Sequence, residues 1–348
     1  MCTEWPREAL EKVEKCPVCG CKNRTLLYDR LTDLVYRRAL GVWCLYQCDA
    51  CTAAYLDPRP SPATIGQAYA EFYTHPFTAT DGAPESPLKV IKRALRNGYI
   101  NHRLGTNLRP ATVLGSIVIP AYAGKKREID FSLRHLPPFA DGFNTLLDIG
   151  SGSGDFIEMA TGIGWKAQGV EPDPVAAEVA RNRGTQTMTA RFEEAELPEA
   201  HFDVITLSHV IEHFHDPVKT LRKALKLLKP GGLMWIATPN MTGAGHVCFG
   251  NEWIGLDPPR HLVLFNQRSL IEALARADFS GNHCFLRGRS ARGGFHLSWK
   301  ITQGLKPFDS DLARLPLRLR IRALKTDLMW SVDPTREEEL VLAARKHA

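Results

Sequence analysis

An α/β fold with a mainly parallel sheet is predicted by three observations. Predicted strands and helices alternate from residue 145 to residue 287, which is the order that βαβ units require. A buried strand at 145–149 runs directly into a glycine-rich turn and then into an apolar helical pattern. Two C-x-x-C pairs precede this region. We therefore expect a large α/β unit and a smaller unit at the N-terminal side.

Composition bounds the class of protein. The 348 residues, 44% of them hydrophobic, can bury an α/β domain of about 200 residues and still form one or two smaller units. No run approaches the roughly 18 apolar residues of a membrane span, and the first residues lack an apolar signal-peptide core. We expect a cytoplasmic protein, whose nine cysteines are metal ligands or core thiols rather than disulfides.

The N-terminal unit carries its C-x-x-C pairs at 16–19 and 48–51, with 28 residues between them. Each pair can present two thiolates to one tetrahedral ion, and predicted strands at 25–28 and 42–47 lie between the pairs. The unit resembles a zinc ribbon, although Cys21 and Cys44 are spare sulfurs, and unrelated buried thiols or a redox pair remain alternatives. The predicted ligands of a structural zinc ion are Cys16, Cys19, Cys48 and Cys51.

Helical segments are predicted between the two units. Residues 63–72 form a helix-like pattern with Tyr69, followed by Tyr73 and a turn-rich linker at 74–87. A basic amphipathic helix follows, with Leu88, Ile91 and Leu95 on one face, and then an apolar patch at 113–119.

The α/β unit is read from its periodicity. Each predicted strand is a short apolar or β-branched run, and each predicted helix has apolar residues at helical spacing. The strands are expected at 145–149, 166–171, 186–190, 202–208, 232–238 and 282–287, and the helices at 154–163, 174–183, 216–229 and 267–277.

The turn after the first strand is suited to a cofactor. Glycines at alternate positions allow a ligand to lie on the main chain, and a helix begins there with free N–H donors. Glu171 ends the next strand, where a carboxylate can accept hydrogen bonds from a ribose diol. The turn reads Asp148-x-Gly150-x-Gly152-x-Gly154, which is not the G-x-G-x-x-G spacing of dinucleotide folds.

These residues resemble the class I S-adenosylmethionine (SAM)-dependent methyltransferases. The resemblance continues through the strand at 202–208, the following Glu212-His213 and residues 228–233, and it covers residues 145–290 in the family's order. It implies a Rossmann-like seven-stranded sheet, a reversed last strand at 339–345 and SAM as the cofactor. The cofactor-binding residues that it implies are Asp148, Gly150, Ser151, Gly152, Gly154, Glu171, Phe192, Glu193 and Ser208.

Catalytic candidates follow the strand that ends at Ser208. They are His209, Glu212 and His213, and a helical turn here would place both imidazoles on one face. Three roles stay open. Glu212 and His213 pack the turn and orient the cofactor pocket, or His213 removes the acceptor's proton as a general base. Alternatively, these residues hold a divalent cation together with a later histidine such as His261, by analogy with small-RNA and quinone O-methyltransferases.

The order of segments suggests an acceptor. Paired knuckles, a Pro-Arg-Pro exit and a Tyr-rich helix before the glycine turn resemble methyltransferases associated with sugar and polysaccharide biosynthesis. Predicted domains are a zinc-ribbon-like unit at 1–60, a helical linker or lid at 61–135, and a methyltransferase domain at 136–348 with a basic insertion at 288–335. Arg260 is a candidate for binding an anionic group, or else an exposed arginine on a turn.

We therefore expect methyl transfer to a hydroxyl of a phosphorylated small molecule, such as a nucleotide-linked or lipid-linked sugar. Other hypotheses are a quinone-like aromatic O-methyltransferase, a nucleic-acid-binding zinc protein, and a protein that binds SAM without turnover. Nucleic acid is less favoured, because the basic stretches lack regularly spaced aromatic residues.

Positive charge is concentrated in residues 88–135 and 287–325, each with ten Lys and Arg residues against two acidic residues. We expect the two segments to converge over the substrate mouth and to face an anionic small molecule or an acidic inner-membrane surface. Residues 317–322 alternate apolar and basic, as in a strand edge or a short interfacial element, and Trp330 would lie at the headgroup boundary. A solvated basic face is the alternative.

Overall fold

The structure is a computed structural model that describes residues 5–69, 86–288, 290–309, 313–329 and 334–347. Tyr73, Trp330, most of the predicted linker at 74–87 and the end of the helix expected at 63–72 lie outside these residues. The strands are β1 (Leu10–Glu11), β2 (Arg24–Leu31), β3 (Trp43–Cys48), β4 (Ala54–Leu56), β5 (Arg59–Pro60), β6 (Thr145–Ile149), β7 (Lys166–Glu171), β8 (Gln186–Thr189), β9 (Phe202–Ser208), β10 (Leu228–Pro239), β11 (Val263–Leu264), β12 (Ser280–Cys284) and β13 (Glu339–Arg345).

The helices follow the apolar periodicity of the sequence. A short 3-10 helix, Ile65–Tyr69, stands within the helix predicted at 63–72. The α-helices are α1 (Pro87–Leu104), α2 (Gly115–Ala121), α3 (Ala123–Ser132), α4 (Asp155–Gly162), α5 (Pro174–Asn182), α6 (Pro217–Leu227), α7 (Ala244–Phe249), α8 (Gln267–Arg276), α9 (Ala291–Thr302) and α10 (Leu317–Met329).

The main sheet has seven strands in the order β12-β13-β10-β9-β6-β7-β8. The pairs β6-β7, β6-β9 and β7-β8 are parallel, whereas β12 and β13 pair antiparallel. Strand β6 is buried at four of its five residues and β9 at six of its seven, as expected for strands covered on both faces. The predicted α/β class, the seven-stranded Rossmann-like sheet and its reversed last strand are confirmed.

A second sheet of four strands, in the order β11-β4-β3-β2, contains both segments that flank the second cysteine pair. Strands β2, β3 and β4 are antiparallel neighbours. Strand β11 comes from far along the chain and pairs with β4 through Val263 with Tyr55 and Leu264 with Ala54. The N-terminal sheet is therefore completed by a segment that follows β10.

The chain divides into two compact units. The first unit comprises Met1–Phe72, Ser208–Leu225 and Ile236–Arg345, and the second comprises Tyr73–Leu207, Lys226–Trp235 and Lys346–Ala348. The domain boundaries expected at 1–60, 61–135 and 136–348 stay a prediction. Within the described residues, no helix combines the length and the apolarity needed to cross a bilayer.

Two local predictions were wrong. The helix expected to end at residue 229 ends at Leu227, because the chain is already in β10 at Leu228 and passes through Pro230 in extended form. The strand edge suggested for residues 317–322 is the first part of α10. The alternation of apolar and basic residues there is short, whereas leucine and isoleucine continue at helical spacing through the whole of α10, so the segment is helical.

Candidate active site

The glycine turn belongs to the second unit and connects β6 to α4. Gly150, Gly152 and Gly154 all have left-handed backbones, with φ of 68°, 55° and 80°. A Cβ atom at Gly154 would also lie 2.8 Å from the Cβ of Ala180, so no larger residue fits there. The turn therefore has no side chain at residues 150, 152 and 154, and its main chain can contact a ligand directly.

Glu171 ties the end of β7 to this turn. Its Oε2 accepts the Gly152 N–H at 2.7 Å, and its Oε1 accepts the Asp173 N–H at 3.0 Å. Burial raises the pKa of Glu171, and the two N–H donors oppose that shift. Since each carboxylate oxygen has a second lone pair, Glu171 can still accept hydrogen bonds from a ribose diol.

Asp148 is fully buried and pairs with Arg134, which belongs to the basic segment 88–135 and carries no motif that predicts this contact. Its Oδ1 also accepts the Thr206 hydroxyl at 2.9 Å. Burial raises the pKa of Asp148, and the Arg134 guanidinium opposes that shift. Arg134 in turn lies over the Phe156 ring, 3.7 Å from its centroid, so a partly buried cation packs against the base of the turn.

Two polar atoms at the turn lack partners. The Oδ2 atom of Asp148 and the Oγ atom of Ser151 are buried and make no hydrogen bond within the described part of the chain. Buried polar groups are normally hydrogen-bonded, so unsatisfied ones indicate a missing ligand or water. The amino-acid end of SAM carries groups that suit these two atoms: its ammonium can donate to Asp148 Oδ2, and its carboxylate can accept the Ser151 hydroxyl.

The remaining predicted cofactor residues are divided between the units. Phe192 is buried, and Glu193 is exposed with its carboxylate 3.6 Å from the Arg191 guanidinium. Both belong to the second unit, as the glycine turn does, whereas Ser208 ends β9 and belongs to the first unit. Their contacts with the cofactor stay a prediction.

The catalytic candidates all belong to the first unit, but their turn is not an α-helix. His209 has a left-handed backbone with φ of 55°, and its N–H donates to Ala237 at 2.8 Å, which prolongs the strand pairing past β9. Only Ile211–His213 form a 3-10 turn. His209 and His213 therefore do not share the face of a helix, because His209 has a left-handed backbone and its N–H pairs with Ala237 outside the 3-10 turn.

The His209 imidazole lies between two carboxylates. Its Nδ1 is 3.7 Å from Glu212 Oε1, and its Nε2 is 3.5 Å from Glu339 Oε2. Burial would lower the pKa of His209, but the two carboxylates outweigh that effect and raise it to about 10. The raised pKa favours the protonated imidazole at neutral pH, which argues against proton removal by His209; its catalytic role stays a prediction.

His213 and His261 are neighbours, with ring centroids 4.8 Å apart, and the Nδ1 atom of each faces a main-chain carbonyl. The Nδ1 atom of His213 is 3.0 Å from the Arg260 carbonyl and 2.9 Å from the Tyr69 hydroxyl, while His261 Nδ1 is 2.8 Å from the Gly255 carbonyl. A carbonyl only accepts, so each Nδ1 carries a proton, and Nε2 is the ring nitrogen left to act as a ligand or a base. Burial and then His261 lower the pKa of His213 to about 4.

Glu212 completes this cluster. It is fully buried, its Oε2 accepts the Thr238 hydroxyl at 2.9 Å, and its Oε1 has no hydrogen-bond partner among the described residues. Burial would raise its pKa, but His209 and the nearby histidines hold it at about 2. One ligand atom from each of Glu212, His213 and His261 lies within 4.8 Å of the other two. We call these three residues the histidine cluster; they can hold a divalent cation or serve proton transfer.

Arg260 does not have either role proposed from the sequence. It is 1% exposed, and its guanidinium binds the carboxylates of both Asp33 and Asp257. It also lies over the Tyr36 ring, 4.4 Å from the centroid. The prediction of an anion-binding or exposed arginine was wrong, because two carboxylates already neutralise the cation. The sequence gives no signal for Asp33, which lies 227 positions away.

Four cysteines of the first unit form a second candidate metal centre. Their sulfurs lie within 4.8 Å of one another, with Cys16 and Cys51 3.5 Å apart and Cys19 and Cys48 3.4 Å apart. Ligands at about 2.3 Å from a tetrahedral zinc ion would be about 3.7 Å apart. The hydrogen bond with Cys16 and then burial raise the pKa of Cys51, so without a cation the four thiols cannot all ionise. The group is called the cysteine cluster below.

The spare cysteines lie outside this cluster. Cys21 donates to the Asn23 carbonyl at 3.8 Å and Cys44 to the Asp29 carbonyl at 3.5 Å. The main-chain N–H groups of Val18 and Cys19 are directed at the Cys16 sulfur, as the tight turn around Pro17 and Gly20 permits. The residues present therefore fit a tetrahedral zinc ion.

Comparison with known proteins agrees with this geometry. Residues 123–283 match a family model described as a methyltransferase domain. Among curated proteins, the chain is 39% identical over 106 residues to a ubiquinone biosynthesis O-methyltransferase of Caulobacter vibrioides, which is 28% of this chain and 42% of that protein. A protein of the same name from Proteus mirabilis is 31% identical over 118 residues, 31% of this chain and 48% of that protein. The chain spans about half the length of the curated relatives that it matches.

The chain is also similar to solved structures of methyltransferases. A SAM-dependent methyltransferase from Archaeoglobus fulgidus is 19% identical, with a TM-score of 0.44, over 66% of this chain and 99% of the other. A Haemonchus contortus phosphoethanolamine N-methyltransferase in complex with SAM is 16% identical, with the same TM-score of 0.44, over 85% of this chain and 63% of the other. The family model matches residues 123–283, which include the glycine turn and five strands of the main sheet.

Proposed function

We propose that the protein is a SAM-dependent methyltransferase that methylates a hydroxyl oxygen. The observation that carries the proposal is the glycine turn, where Glu171 accepts the Gly152 N–H and Asp148 and Ser151 each have a buried polar atom with no hydrogen-bond partner among the described residues. The methyltransferase-domain match over the same residues supports it. SAM supplies an electrophilic methyl carbon on a sulfonium, so the protein must orient the acceptor and remove its proton.

His213 is the residue that we assign to proton removal. Its Nε2 lone pair is free because Nδ1 is committed to the Arg260 carbonyl. As the bond from the acceptor oxygen to the methyl carbon forms and the carbon–sulfur bond breaks, the hydroxyl proton passes to Nε2. A pKa near 4 makes His213 a weak base, which suits an acidic hydroxyl better than an ordinary alcohol.

The acceptor that these observations favour is a phenolic hydroxyl on a quinone-like aromatic compound. A phenol has a pKa of about 10, far below that of an alcohol, so a weak base can assist it. The curated relatives are named as O-methyltransferases of ubiquinone biosynthesis. The phosphorylated sugar loses support, since Arg260, the residue expected to bind its anion, is neutralised by Asp33 and Asp257.

The cysteine cluster is proposed to hold one structural zinc ion. All four ligands come from two short loops of one unit, and main-chain N–H groups already face the Cys16 sulfur. The ion would stabilise the β2-β3-β4 sheet, which is too small to fold on its own hydrophobic core.

Two experiments test the function. Calorimetry should show binding of SAM and of S-adenosylhomocysteine, and Glu171→Ala should weaken it by about 1.5–3 kcal/mol, the value of hydrogen bonds to a charged group. Glu158→Ala, which removes an exposed acid from neighbouring α4, is the matched control. Absence of heat with either ligand on folded protein would reject SAM binding.

Turnover is tested with labelled SAM and a panel of catechols, hydroquinones and nucleotide-linked sugars. We expect methylation of the aromatic compounds only. Methylation of the sugars alone would overturn the acceptor assignment and leave the methyltransferase assignment intact. SAM binding without turnover on any acceptor would instead favour a binding protein.

A further inference from the structure

Helix α10 presents an apolar stripe to solvent. Leu317, Ile321, Leu324 and Leu328 are 68%, 47%, 57% and 64% exposed. They are spaced four, three and four residues apart, which places them on one face of an α-helix. Scattered exposed leucines are common, but four in one row form a continuous apolar strip that indicates an interaction surface.

A different side of α10 holds the helix on the protein. Ala323 is fully buried, and Asp327 accepts the N–H of Ala291, the first residue of α9, at 3.1 Å. Neither residue shares a face with the apolar stripe. The stripe is therefore directed away from the unit that carries it.

Cations line both sides of the stripe. By helical spacing, Arg318 and Lys325 lie along one edge, and Arg320 lies along the other. None of them forms an ion pair within the described residues, and each is exposed or half-buried. Their long side chains can extend sideways while the leucines point straight outward.

We propose that α10 binds an anionic lipid bilayer, lying in its interface with the stripe among the acyl chains and the cations at the headgroups. An amphipathic helix with an apolar face and basic flanks is the arrangement that such a surface requires. The apolar stripe and the cations act together here, because each cation adds attraction to anionic lipid and each leucine loses contact with water.

Charge decides between this partner and two others. In a coiled coil of two copies, the stripe would form the seam and Arg318, Arg320 and Lys325 would flank it, so that three cations of each copy against one acid, Asp327, would face those of the other copy. A nucleic acid would satisfy the cations but offers no apolar surface to four leucine-type side chains. An anionic bilayer satisfies both features at once.

The test is sedimentation of the full chain with vesicles of phosphatidylcholine, with or without phosphatidylglycerol. We expect pelleting with the anionic vesicles, reduced at high salt. Arg318→Gln/Arg320→Gln/Lys325→Gln should lower the partition coefficient on the order of 100-fold, since each cation contributes about 5-fold. Leu317→Ser/Ile321→Ser/Leu324→Ser should lower it at least about 10-fold through loss of apolar burial.

Matched controls remove the same groups elsewhere. Lys12→Gln/Lys166→Gln/Lys219→Gln loses the same charge from exposed sites, and Leu26→Ser/Val42→Ser/Val175→Ser loses exposed apolar side chains. Both should pellet as the unchanged protein does, and circular dichroism should show all four variants folded. Equal loss in controls and α10 variants would overturn the proposal.

Three further outcomes would also overturn it. One is the absence of pelleting with anionic vesicles. Another is a dimer in sedimentation velocity that the serine variant of the stripe abolishes, which would identify a second copy as the partner. The third is pelleting abolished by Val113→Ser/Ile117→Ser, on the exposed surface around α2, but unchanged by the α10 variants.

Discussion

The cysteine cluster and the histidine cluster both bring metal-binding side chains together, but in opposite ways. The cysteine cluster has four equivalent ligands from two loops, which leaves a tetrahedral ion no open position. The histidine cluster has two imidazoles and one carboxylate, each fixed by a second partner through its other polar atom. Three ligands leave room for a reacting group. The cysteine cluster is therefore suited to a structural ion that stabilises the fold, and the histidine cluster to a catalytic role.

The largest effect is expected from Cys48→Ser. Loss of one thiolate from a closed site should reduce zinc from one ion per chain to nearly none, and structural zinc contributes on the order of 10 kcal/mol to small domains. Metal analysis and chemical denaturation measure both quantities. Cys21→Ser and Cys44→Ser are the controls, since their sulfurs bond to carbonyls outside the cluster. Loss of metal in a control but not in Cys48→Ser would refute the ligand set.

The next effect is expected from His213→Gln, which should lower kcat about 10²- to 10⁴-fold while leaving SAM affinity unchanged. A base acts only when the acceptor loses its proton, so cofactor binding does not depend on it. Steady-state kinetics and calorimetry separate the two quantities, with exposed His102→Gln as control. Equal damage to both would favour a packing role. Activity lost to a chelator and restored by a divalent ion, with the cysteine cluster still loaded, would assign a cation to the histidine cluster.

A smaller loss of stability, about 3 kcal/mol, is expected from Asp33→Asn. Asp33 lies between the two cysteine pairs, and its carboxylate holds the buried Arg260, whose carbonyl fixes His213. Removing one partner leaves part of a buried charge uncompensated. Denaturation midpoints measure the loss, and Asp29→Asn, an exposed acid in the same segment, should have little effect. A similar loss of stability in both variants would mean that the pairing of Asp33 with Arg260 does not stabilise the fold.

The smallest expected effect is the dependence of the unfolding free energy on pH through His209. The folded-state pKa of His209 is raised to about 10, so its contribution to stability is complete below the ordinary value of 6.5 and is lost as pH rises toward 10. Its side chain is 44% exposed, so solvent screens the effect. We expect the unfolding free energy of the protein to fall across this window and that of His209→Gln to fall less. Parallel curves for the two proteins would show that His209 is not held as a cation.

The sequence predicts local structure well and distant pairings poorly. The strands at 145–149, 166–171 and 202–208 were placed to the residue, because short runs bounded by turn signals are too short to be helices. The two C-x-x-C pairs also predicted which four cysteines lie together in the cysteine cluster. His261 was named as a partner of His213 only by analogy, and Arg134, Tyr69 and Asp33 were not connected to the site. Their partners lie 14, 144 and 227 positions away, and no periodicity reports such contacts.

The pairing of β11 with β4 has a consequence for synthesis of the chain. Strand β4 leaves the ribosome about 200 residues before β11, so at about 5–20 residues per second its edge waits roughly 10–40 seconds for a partner. An unpaired edge strand is a template for pairing with other chains. During translation the N-terminal sheet is therefore a place where chaperones would be expected to act, and slow synthesis between the two strands lengthens that exposure.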